Sequence, residues 1–463
     1  MKTINVEMPY NGEIIERVEV HGKEVIEKAL ENAYAYYLNQ EKWLKKYEII
    51  SILEKTIKIM EERFESLVIL ATREGGKPYM DSKVEVERAI SGIKVAIENM
   101  AQHKGEVIPM GHTKSSDGRL ALTIQEPIGV VVAISAFNHP LNLTVHQVIP
   151  TLAVGAPVII KPSTRTPLSA INLVKILHEA GLPKAMCQVF VCDREAGEWL
   201  VKSPKSAFLT FVGSAKVGWH LNRIASDGTR VALEHGGVAP VIIDKDANID
   251  ALIPLITKGG FYHAGQVCVS VQRVYVHEEI IKEVSKKFSV LASQLKVGDP
   301  LAKDTEVGPL ISHAEVNRIE AWVNEAKENG AKVLCGGKRI SESCYEPTLL
   351  LNPKKSDKVS TQEVFGPVVC LYAFSDIEEA YKDANALEVS FQAAVFTKNI
   401  DTALKSAKRL NATTVMVNDH TAFRVDWMPF GGAKQSGLGM GGIVHAMKEM
   451  SNEKMLVIKS EVL

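Results

Sequence analysis

Two residues with complementary chemistry stand 34 positions apart in the middle of the chain. Cys268 lies in the run Gly-Gln-Val-Cys-Val-Ser at 265–270, and Glu234 lies in Leu-Glu-His-Gly-Gly at 233–237. A thiolate attacks a carbonyl carbon and later departs from it, whereas a carboxylate takes a proton from water. The pair therefore suits a reaction that forms a thioester and then hydrolyses it.

Each of these two residues also has an ordinary structural interpretation. A lone cysteine usually fills a small space in the core, and this fits the cysteines at 187, 192, 335, 344 and 370. For Cys268, the nearby Gly265 favours reactivity, because glycine permits close approach of the backbone to a ligand. Glu234 ends the apolar run 231–233, so we expect it to be buried, with a raised pKa that is useful in a general base.

Two more polar residues follow apolar runs. Asn138, in Ser-Ala-Phe-Asn-His-Pro at 135–140, offers an amide donor of the kind that a tetrahedral oxyanion needs. Lys161, in Ile-Ile-Lys-Pro-Ser at 159–163, is placed to reach a ribose or a phosphate at the end of a buried strand. The plainer interpretations are a turn residue for Asn138 and a surface lysine for Lys161.

Glycine-rich turns complete the candidate site. In Phe-Val-Gly-Ser-Ala-Lys-Val-Gly at 211–218, Gly213 permits a tight turn and Gly218 permits close helix packing, so helix amides could hold a phosphate. The spacing is G-x4-G and not the G-x-G-x-x-G fingerprint, so an ordinary strand-to-helix turn is the alternative. The loops at 361–367 and 428–437 are rich in Gly and Pro. Loops of this composition commonly close over a bound ligand, but plain connecting loops have the same composition.

The elements that must position these residues follow from the apolar pattern. Short apolar runs alternate with helix-length segments, which indicates βαβ units around buried parallel sheets. The runs form two series, 130–134, 156–160, 187–191 and 207–212, then 241–243, 273–276, 368–371, 393–396 and 414–417. We therefore expect two α/β lobes that join near residues 236–237.

Flanking segments have different patterns. After a short polar lead, the first hundred residues read as helices, one ending at Gly75-Gly76 and another spanning 84–100. Residues 119–126 alternate apolar and polar, which predicts an exposed antiparallel strand. The run at 454–459 predicts an edge strand that pairs with another subunit.

Composition excludes several classes of protein. The 463 residues carry a net charge of -1 without a Lys/Arg block, which argues against nucleic-acid binding. The start resembles no signal peptide, and no apolar stretch is long enough to span a bilayer, so no membrane partner is expected. The six cysteines lack C-x-x-C spacing, so we expect no metal site and a reduced, cytoplasmic protein.

Taken in order, these segments resemble the aldehyde dehydrogenase superfamily over essentially the whole chain, and more narrowly the archaeal lactaldehyde dehydrogenases. Seven motifs carry the resemblance: Phe-Asn-His-Pro, Lys-Pro-Ser, Phe-Val-Gly-Ser-x-x-Val-Gly, Leu-Glu-x-Gly-Gly, Gly-Gln-x-Cys, Glu-x-Phe-Gly-Pro and Pro-Phe-Gly-Gly-x-Lys-x-Ser-Gly. The resemblance implies an α/β fold with two Rossmann-like lobes and a small β arm for oligomerisation. The cofactor lobe would comprise residues 1–112 and 127–236, the catalytic lobe 237–440, and the arm 113–126 and 441–463, in a homodimer or homotetramer.

The resemblance also implies roles for matched residues. Cys268 would attack the aldehyde, Asn138 and the backbone N–H of Cys268 would hold the oxyanion, and Glu234 would activate the water that releases the acid. Lys161 and Glu363 would bind ribose hydroxyls of NAD or NADP, and Phe365 would pack near the nicotinamide. The remaining expected cofactor-binding residues are Phe137, Ser163, Arg165, Gly213, Ser214, Ala215, Lys216, Val217 and Gly218.

Three positions depart from the family pattern. Phe137 replaces a frequent Trp, and His235 replaces a Leu, where it could influence the proton affinity of Glu234. Thr164 stands where NAD-preferring members often carry a Glu. Without that Glu, no acidic side chain repels the 2′-phosphate of NADP, and Ser163 and Arg165 could contact this phosphate. We therefore expect the protein to tolerate NADP as well as NAD.

The expected substrate is a short hydroxylated aldehyde such as lactaldehyde or glycolaldehyde. The candidate pocket residues, His139, His263, Gln266 and the segment 418–424, are too polar for long fatty or aromatic aldehydes. A phosphorylated triose such as glyceraldehyde-3-phosphate fits if Arg424 faces inward. Two other functions stay open: acyl transfer to coenzyme A or phosphate, which the water-activating Glu234 disfavours, and a non-catalytic binding protein.

Overall fold

The computed structural model describes residues 2–463, whose first half forms one α/β lobe. Its elements are β1 (Lys2–Glu7), β2 (Ile14–Val20), α1 (Lys23–Leu38), α2 (Lys46–Glu62), α3 (Phe64–Gly75), α4 (Tyr79–Met100), β3 (Val107–Ile108), β4 (Arg119–Pro127), β5 (Val130–Ile134), α5 (Pro140–Ala153), β6 (Val158–Lys161), α6 (Leu168–Glu179), β7 (Cys187–Val189), α7 (Arg194–Lys202), β8 (Ser206–Val212), α8 (Ala215–Ile224) and β9 (Arg230–Glu234).

The second half contains the other lobe and the C-terminal segment. Its elements are β10 (Pro240–Ile243), α9 (Ile249–Phe261), β11 (Arg273–His277), α10 (Ile281–Gln294), α11 (His313–Glu328), β12 (Lys332–Cys335), β13 (Thr348–Leu351), α12 (Lys358–Thr361), β14 (Val368–Phe374), α13 (Ile377–Ala384), β15 (Val389–Ser390), β16 (Gln392–Phe396), α14 (Ile400–Arg409), β17 (Thr414–Val417), β18 (Ala433–Lys434), β19 (Gly437–Leu438), α15 (Ile443–Glu449) and β20 (Ser451–Lys459).

The first lobe is built on a six-stranded sheet in the order β19-β9-β8-β5-β6-β7, parallel except for β19. The central strand β5 is buried on both faces, since Val131 and Ala133 pack into one apolar core and Val130 and Val132 into another. Burial of both faces explains why its sequence is a continuous apolar run. The expected parallel sheet is confirmed here.

The second lobe holds a seven-stranded sheet in the order β12-β13-β14-β11-β10-β16-β17, in which β12 alone is antiparallel. The five expected apolar runs of this lobe all become strands. The strands β12 and β13 were not predicted. They lie at one side of the sheet, and β12 is half exposed, so its sequence carries a weaker apolar signal.

A small antiparallel sheet in the order β20-β4-β3 extends from the first lobe. The strand β20 pairs with β4 over nine residues, from Ser451 opposite Pro127 to Lys459 opposite Arg119. The predicted strands at 119–126 and 454–459 therefore pair with each other within one chain, and β20 remains an edge strand. The helix α15 packs in the apolar core of the first lobe through Ile443 and Met447. The limits expected for the domains stay a prediction.

The structure differs from the expectations for the first hundred residues at two places. Within the polar lead, β1 and β2 pair as an antiparallel hairpin, which was not predicted. The helix expected to span 84–100 begins five residues earlier, directly after Pro78, whose φ of -51° suits the residue that precedes a helix. The predicted stop of the preceding helix is confirmed, because Gly76 ends α3 in the left-handed conformation, with φ of 67°.

Among residues 2–463, no helix combines the length and apolar character needed to cross a membrane.

Candidate active site

The predicted site residues of the first lobe meet because their strands are parallel neighbours. Asn138 follows the end of β5, Lys161 ends β6, Gly213 follows β8 and Glu234 ends β9. The carboxyl ends of parallel strands lie at one edge of a sheet, where open α/β sheets bind ligands. These four residues line one cavity of about 500 Å³, so residues far apart in sequence share a site.

Cys268 reaches this cavity from the second lobe on a tight loop. The loop follows α9 through a 3-10 turn at Tyr262–Gly265, in which His263 and Ala264 have φ of 50° and 53°. Gly265 has φ of 70°, and a Cβ there would lie 2.2 Å from the carbonyl oxygen of Gly366. The expectation that Gly265 admits a ligand is therefore wrong, because the space is filled by the protein's own backbone.

The three expected catalytic residues converge. The thiol of Cys268 lies 3.7 Å from Oε1 of Glu234 and donates to it. Nδ2 of Asn138 donates to the carbonyl oxygen of Gln266, in the cysteine loop, at 2.9 Å. An amide nitrogen carries two N–H groups, so the second N–H of Asn138 is left to donate to an oxyanion. The expected nucleophile, base and oxyanion donor thus face one cavity.

The electrostatics couple Cys268 to Glu234. Burial first, and then the negative charge of Glu234, raise the pKa of the Cys268 thiol well above its usual value, while the positive charge of Arg424 opposes the shift. Burial also raises the pKa of Glu234, again against Arg424. The direction of this shift agrees with the expectation for Glu234. In the free protein the thiol is therefore protonated near neutral pH, with a carboxylate in place to accept its proton.

The same cavity is lined by residues that could hold a dinucleotide. Lys161, Glu363, Phe137 and Phe365 all line it, and the two phenylalanine rings pack edge to face with centroids 5.7 Å apart. Oε1 of Glu363 is buried without a hydrogen-bond partner in the described residues, and burial raises the pKa of this carboxyl to about 8. A buried polar atom without a partner is expected to bond to a bound molecule, and a ribose hydroxyl meets that need.

Not all expected cofactor-binding residues reach this cavity. Those that line it are Phe137, Lys161, Ser163, Gly213, Ser214, Val217, Glu363 and Phe365, and those that do not are Arg165, Ala215, Lys216 and Gly218. Arg165 lies instead on a neighbouring cavity of about 560 Å³, which Thr164 also lines. The cofactor contacts of these four residues stay predictions.

His235 acts on the helix α8 and not on the catalytic base. A Cβ at Gly218 would lie 1.9 Å from Nε2 of His235, so glycine is required there for the helix to pack. Burial lowers the pKa of His235, and its Nδ1 lies 2.8 Å from the carbonyl oxygen of Gln435. The charged group that acts on Glu234 is Arg424, so the expectation that His235 tunes Glu234 is not supported.

Some of the residues that were predicted to contact the substrate line the cavity, and others do not. His139 and Arg424 line the cavity, whereas His263 and Gln266 are buried behind its wall and were wrongly predicted there. Gln266 instead binds backbone, since its Nε2 donates to Pro309 O at 3.2 Å. Sequence reasoning missed Arg88 and Tyr262, because neither stands in a motif that distinguishes it from an ordinary helix residue.

The chain is similar to known proteins over nearly its whole length. The family model described as "Aldehyde dehydrogenase family" matches residues 1–456. The 3-sulfolactaldehyde dehydrogenase of Priestia aryabhattai is 39% identical over 413 residues, which cover 89% of this chain and 86% of the relative. The lactaldehyde dehydrogenase of Methanocaldococcus jannaschii is 37% identical over 457 residues, covering 97% and 96%.

Solved structures agree as well. The crystal structure of glyceraldehyde-3-phosphate dehydrogenase GapN from Methanocaldococcus jannaschii, complexed with NADP, matches with a TM-score of 0.94. It is 36% identical, and the match covers 99% of each chain. The predicted family and fold are thereby confirmed, with the archaeal lactaldehyde dehydrogenases among the relatives.

Proposed function

Because the chain belongs to the aldehyde dehydrogenase family, we propose that it oxidises a short hydroxylated aldehyde, such as lactaldehyde or glycolaldehyde, to its carboxylic acid. The chain is thus an oxidoreductase of the aldehyde dehydrogenase type, with NAD or NADP as cofactor. The names of two relatives, lactaldehyde and 3-sulfolactaldehyde dehydrogenase, support a small hydroxyaldehyde. The polar groups of His139 and Tyr262 in the cavity also suit hydroxyl groups better than a long alkyl chain.

The observation that carries the proposal is the contact between the Cys268 thiol and Oε1 of Glu234 beside Asn138. Glu234 accepts the thiol proton, and the thiolate attacks the aldehyde carbon to form a thiohemiacetal. The free N–H of Asn138 stabilises the negative oxygen that forms. NAD or NADP, when bound, supplies the oxidant for the two-electron step. Glu234 releases the thiol proton to solvent and, as a carboxylate again, takes a proton from the water that attacks the thioester. The carbon–sulfur bond then breaks, which frees the acid and returns Cys268 as a thiolate.

Lys161, Glu363, Phe137 and Phe365 would hold the cofactor, and Ser163 with Thr164 would face its adenosine ribose. The proposal includes tolerance of NADP as well as NAD, because no acidic side chain stands at Thr164. Cytoplasmic location and assembly as a homodimer or homotetramer stay predictions.

A first test is the substitution Cys268→Ala. We expect near-total loss of aldehyde oxidation with the fold intact, measured by cofactor reduction at 340 nm and by circular dichroism. Turnover that survives in this variant would contradict the proposal and favour a non-catalytic or different role for Cys268.

A second test separates hydrolysis from acyl transfer. Product acid should form from lactaldehyde or glycolaldehyde without coenzyme A or phosphate, because Glu234 lies beside the sulfur and can activate water. A requirement for either acceptor would favour the acylating alternative. A panel in which long-chain aldehydes give higher kcat/KM than every hydroxyaldehyde would overturn the substrate assignment.

Glyceraldehyde-3-phosphate is a second candidate substrate. From the sequence, this substrate was expected to fit only if Arg424 faces inward, and Arg424 lines the cavity. The phosphorylated triose belongs in the same kinetic panel.

A further inference from the structure

Glu363 and Phe365 line the cavity from a short segment between α12 and β14. Phe365 has φ of 47°, in the left-handed region, which is unfavourable for a residue with a side chain. Such a conformation persists only where surrounding groups fix the backbone. In this segment the groups that fix it bind to the residue between the two, Val364.

Both backbone groups of Val364 are bound by side chains from other parts of the second lobe. Its N–H donates to Oε1 of Gln272 at 3.0 Å, and its carbonyl oxygen accepts from Nη2 of Arg318 at 2.7 Å. Gln272 directly precedes β11, and Arg318 lies on α11. The backbone between Glu363 and Phe365 therefore cannot shift without breaking one of these bonds.

Gln272 uses its whole side-chain amide on this segment. Its Nε2 donates to the carbonyl oxygens of Gln362 and Val359, at 2.7 Å and 3.1 Å, while its Oε1 accepts the N–H of Val364. Gln272 is only 4% exposed. A substitution that removes its amide would therefore leave buried backbone groups without these bonds.

Gln272 also closes the loop that carries the nucleophile. This loop begins at Gly265 and contains Cys268. At its start, a Cβ on Gly265 would overlap the carbonyl oxygen of Gly366, so the two backbones pack in direct contact. The loop of Cys268 is thus joined to the segment of Glu363 at both of its ends.

The same arrangement places the Glu363 carboxyl between the two lobes, close to the reacting groups. A Cβ on Gly236 would overlap Oε1 of Glu363, so the carboxyl lies against the backbone just beyond Glu234. After burial and Glu234, the charge of Glu363 also raises the pKa of the Cys268 thiol. The position of the 362–366 segment therefore decides how the expected ribose acceptor lies relative to the sulfur.

We propose that Gln272, together with Arg318, is a positioning residue for the cofactor. It fixes the segment of Glu363 and Phe365 against the loop of Cys268, so that the ribose acceptor is in place before NAD or NADP binds. This inference rests on the proposed function. A binding group that is already held in its bound position loses less freedom on binding, so Gln272 contributes to cofactor affinity although it does not line the cavity.

Calorimetric titration of the cofactor-free protein with NAD and with NADP tests this role without turnover. Gln272→Met has a side chain of similar length but forms none of the three bonds, so the Kd for both cofactors should rise about tenfold. In a Glu363→Ala background the same substitution should change Kd less than about twofold, because the acceptor that Gln272 positions is already absent. Arg318→Met frees the carbonyl oxygen of Val364 and should also raise Kd. Because the Arg318 side chain is 26% exposed, this variant keeps the test available if Gln272→Met does not fold.

The matched control is Gln188→Met on β7. Nε2 of Gln188 donates to the carbonyl oxygen of Ala29 at 3.0 Å, away from the cavity, so both Kd values should stay unchanged in this variant. A folded Gln272→Met or Arg318→Met protein with the Kd of the wild type would overturn the inference. Equal weakening by Gln272→Met with and without Glu363 would overturn it as well, while the proposed function stands. If the wild-type protein binds neither NAD nor NADP, the proposed function itself fails.

Discussion

At the scale of single residues, the chemistry depends on how charges act on one sulfur atom. The Cys268 thiol donates to Glu234, whose charge opposes ionisation of the sulfur, whereas Arg424 favours it. A thiolate is the reactive form, so the free protein holds its nucleophile mostly in the unreactive, protonated form near neutral pH. Reaction then requires proton transfer to Glu234, which the short distance permits.

Alkylation of Cys268 tests this balance. Because its pKa is raised, labelling by iodoacetamide in the wild-type protein should still be rising with pH above pH 8. Glu234→Gln removes the nearby negative charge, so the pKa should fall and labelling at pH 7.5 should become faster by about tenfold, the effect of one pKa unit. Cys268→Ser identifies the background rate from other cysteines. If Glu234→Gln is labelled at pH 7.5 no faster than the wild type, the carboxylate does not control the pKa of the Cys268 thiol.

We also predict that a single residue influences the choice between NAD and NADP. Thr164 lines the cavity where a carboxylate would repel a 2′-phosphate. Thr164→Glu should therefore lower kcat/KM for NADP about tenfold or more relative to NAD, measured with one aldehyde and both cofactors. Thr164→Gln has a similar size without charge and serves as the control. A wild-type enzyme with a large NAD preference would contradict the predicted tolerance of NADP.

At the scale of elements, a buried ion pair joins two helices to the loop that carries the oxyanion donor. Lys77, between α3 and α4, bonds to Glu85 on α4, and both side chains are almost fully buried. Oε1 of Glu85 accepts the backbone N–H groups of Leu141 and Asn142, in the first turn of α5, each at 3.0 Å. Lys77 Nζ also donates to the carbonyl oxygen of Asn138 at 3.3 Å. The pair thereby holds the start of α5 and the loop with Asn138.

Breaking this pair should destabilise the first lobe. Lys77→Met leaves Glu85 charged and unpaired in the core, which costs about 3–5 kcal/mol. The double variant Lys77→Met/Glu85→Gln should lose less than the sum of the single variants, because the unpaired charge is gone. Urea unfolding measures the free energy of unfolding of each variant. A change in kcat shows whether the position of Asn138 has been disturbed.

The matched control is the exposed pair of Lys94 and Glu61, with both side chains 52% exposed. Lys94→Met should change the free energy of unfolding by less than about 1 kcal/mol. Additive effects at Lys77 and Glu85 would contradict a coupled pair.

At the scale of the whole molecule, the outer strand β20 leaves apolar surface exposed. Met455, Leu456, Val457 and Ile458 are each at least 42% exposed, and one edge of β20 has no neighbouring strand within residues 2–463. Unpaired strand edges and large apolar patches are typical of interfaces. These features support the predicted homodimer or homotetramer, with β20 in the contact.

A charge on this strand should disrupt the assembly. We expect Val457→Lys to lower the mass measured by size-exclusion chromatography with light scattering, because a buried unpaired charge is costly in an apolar interface. Val290→Lys, at a residue that is 50% exposed on α10, provides the control. Equal masses for wild type and both variants would exclude β20 from the interface.

Much of the fold was predictable because burial leaves a local pattern. The runs that became β5, β6, β8, β10 and β16 are apolar except at Thr210, as is typical of strands covered on both faces. The hairpin of β1 and β2 and the strand β12 were missed, because strands exposed on one side mix polar and apolar residues. The start of α4 was placed too late, because its first turn contains several polar residues.

The amino-acid sequence alone predicted the reaction chemistry, since Cys268, Glu234 and Asn138 stand in short motifs of residue types that suit a nucleophile, a base and an oxyanion donor. Only the tertiary structure decided what surrounds them. Arg88 donates to Asp426 although they are 338 positions apart, and Lys77 becomes the partner of Glu85 and Asn138 only when α3, α4 and α5 pack together. The local sequence specifies which chemical groups are present and indicates which face of each segment is buried. The electric field at the sulfur arises from distances between segments, and those distances exist only in the folded chain.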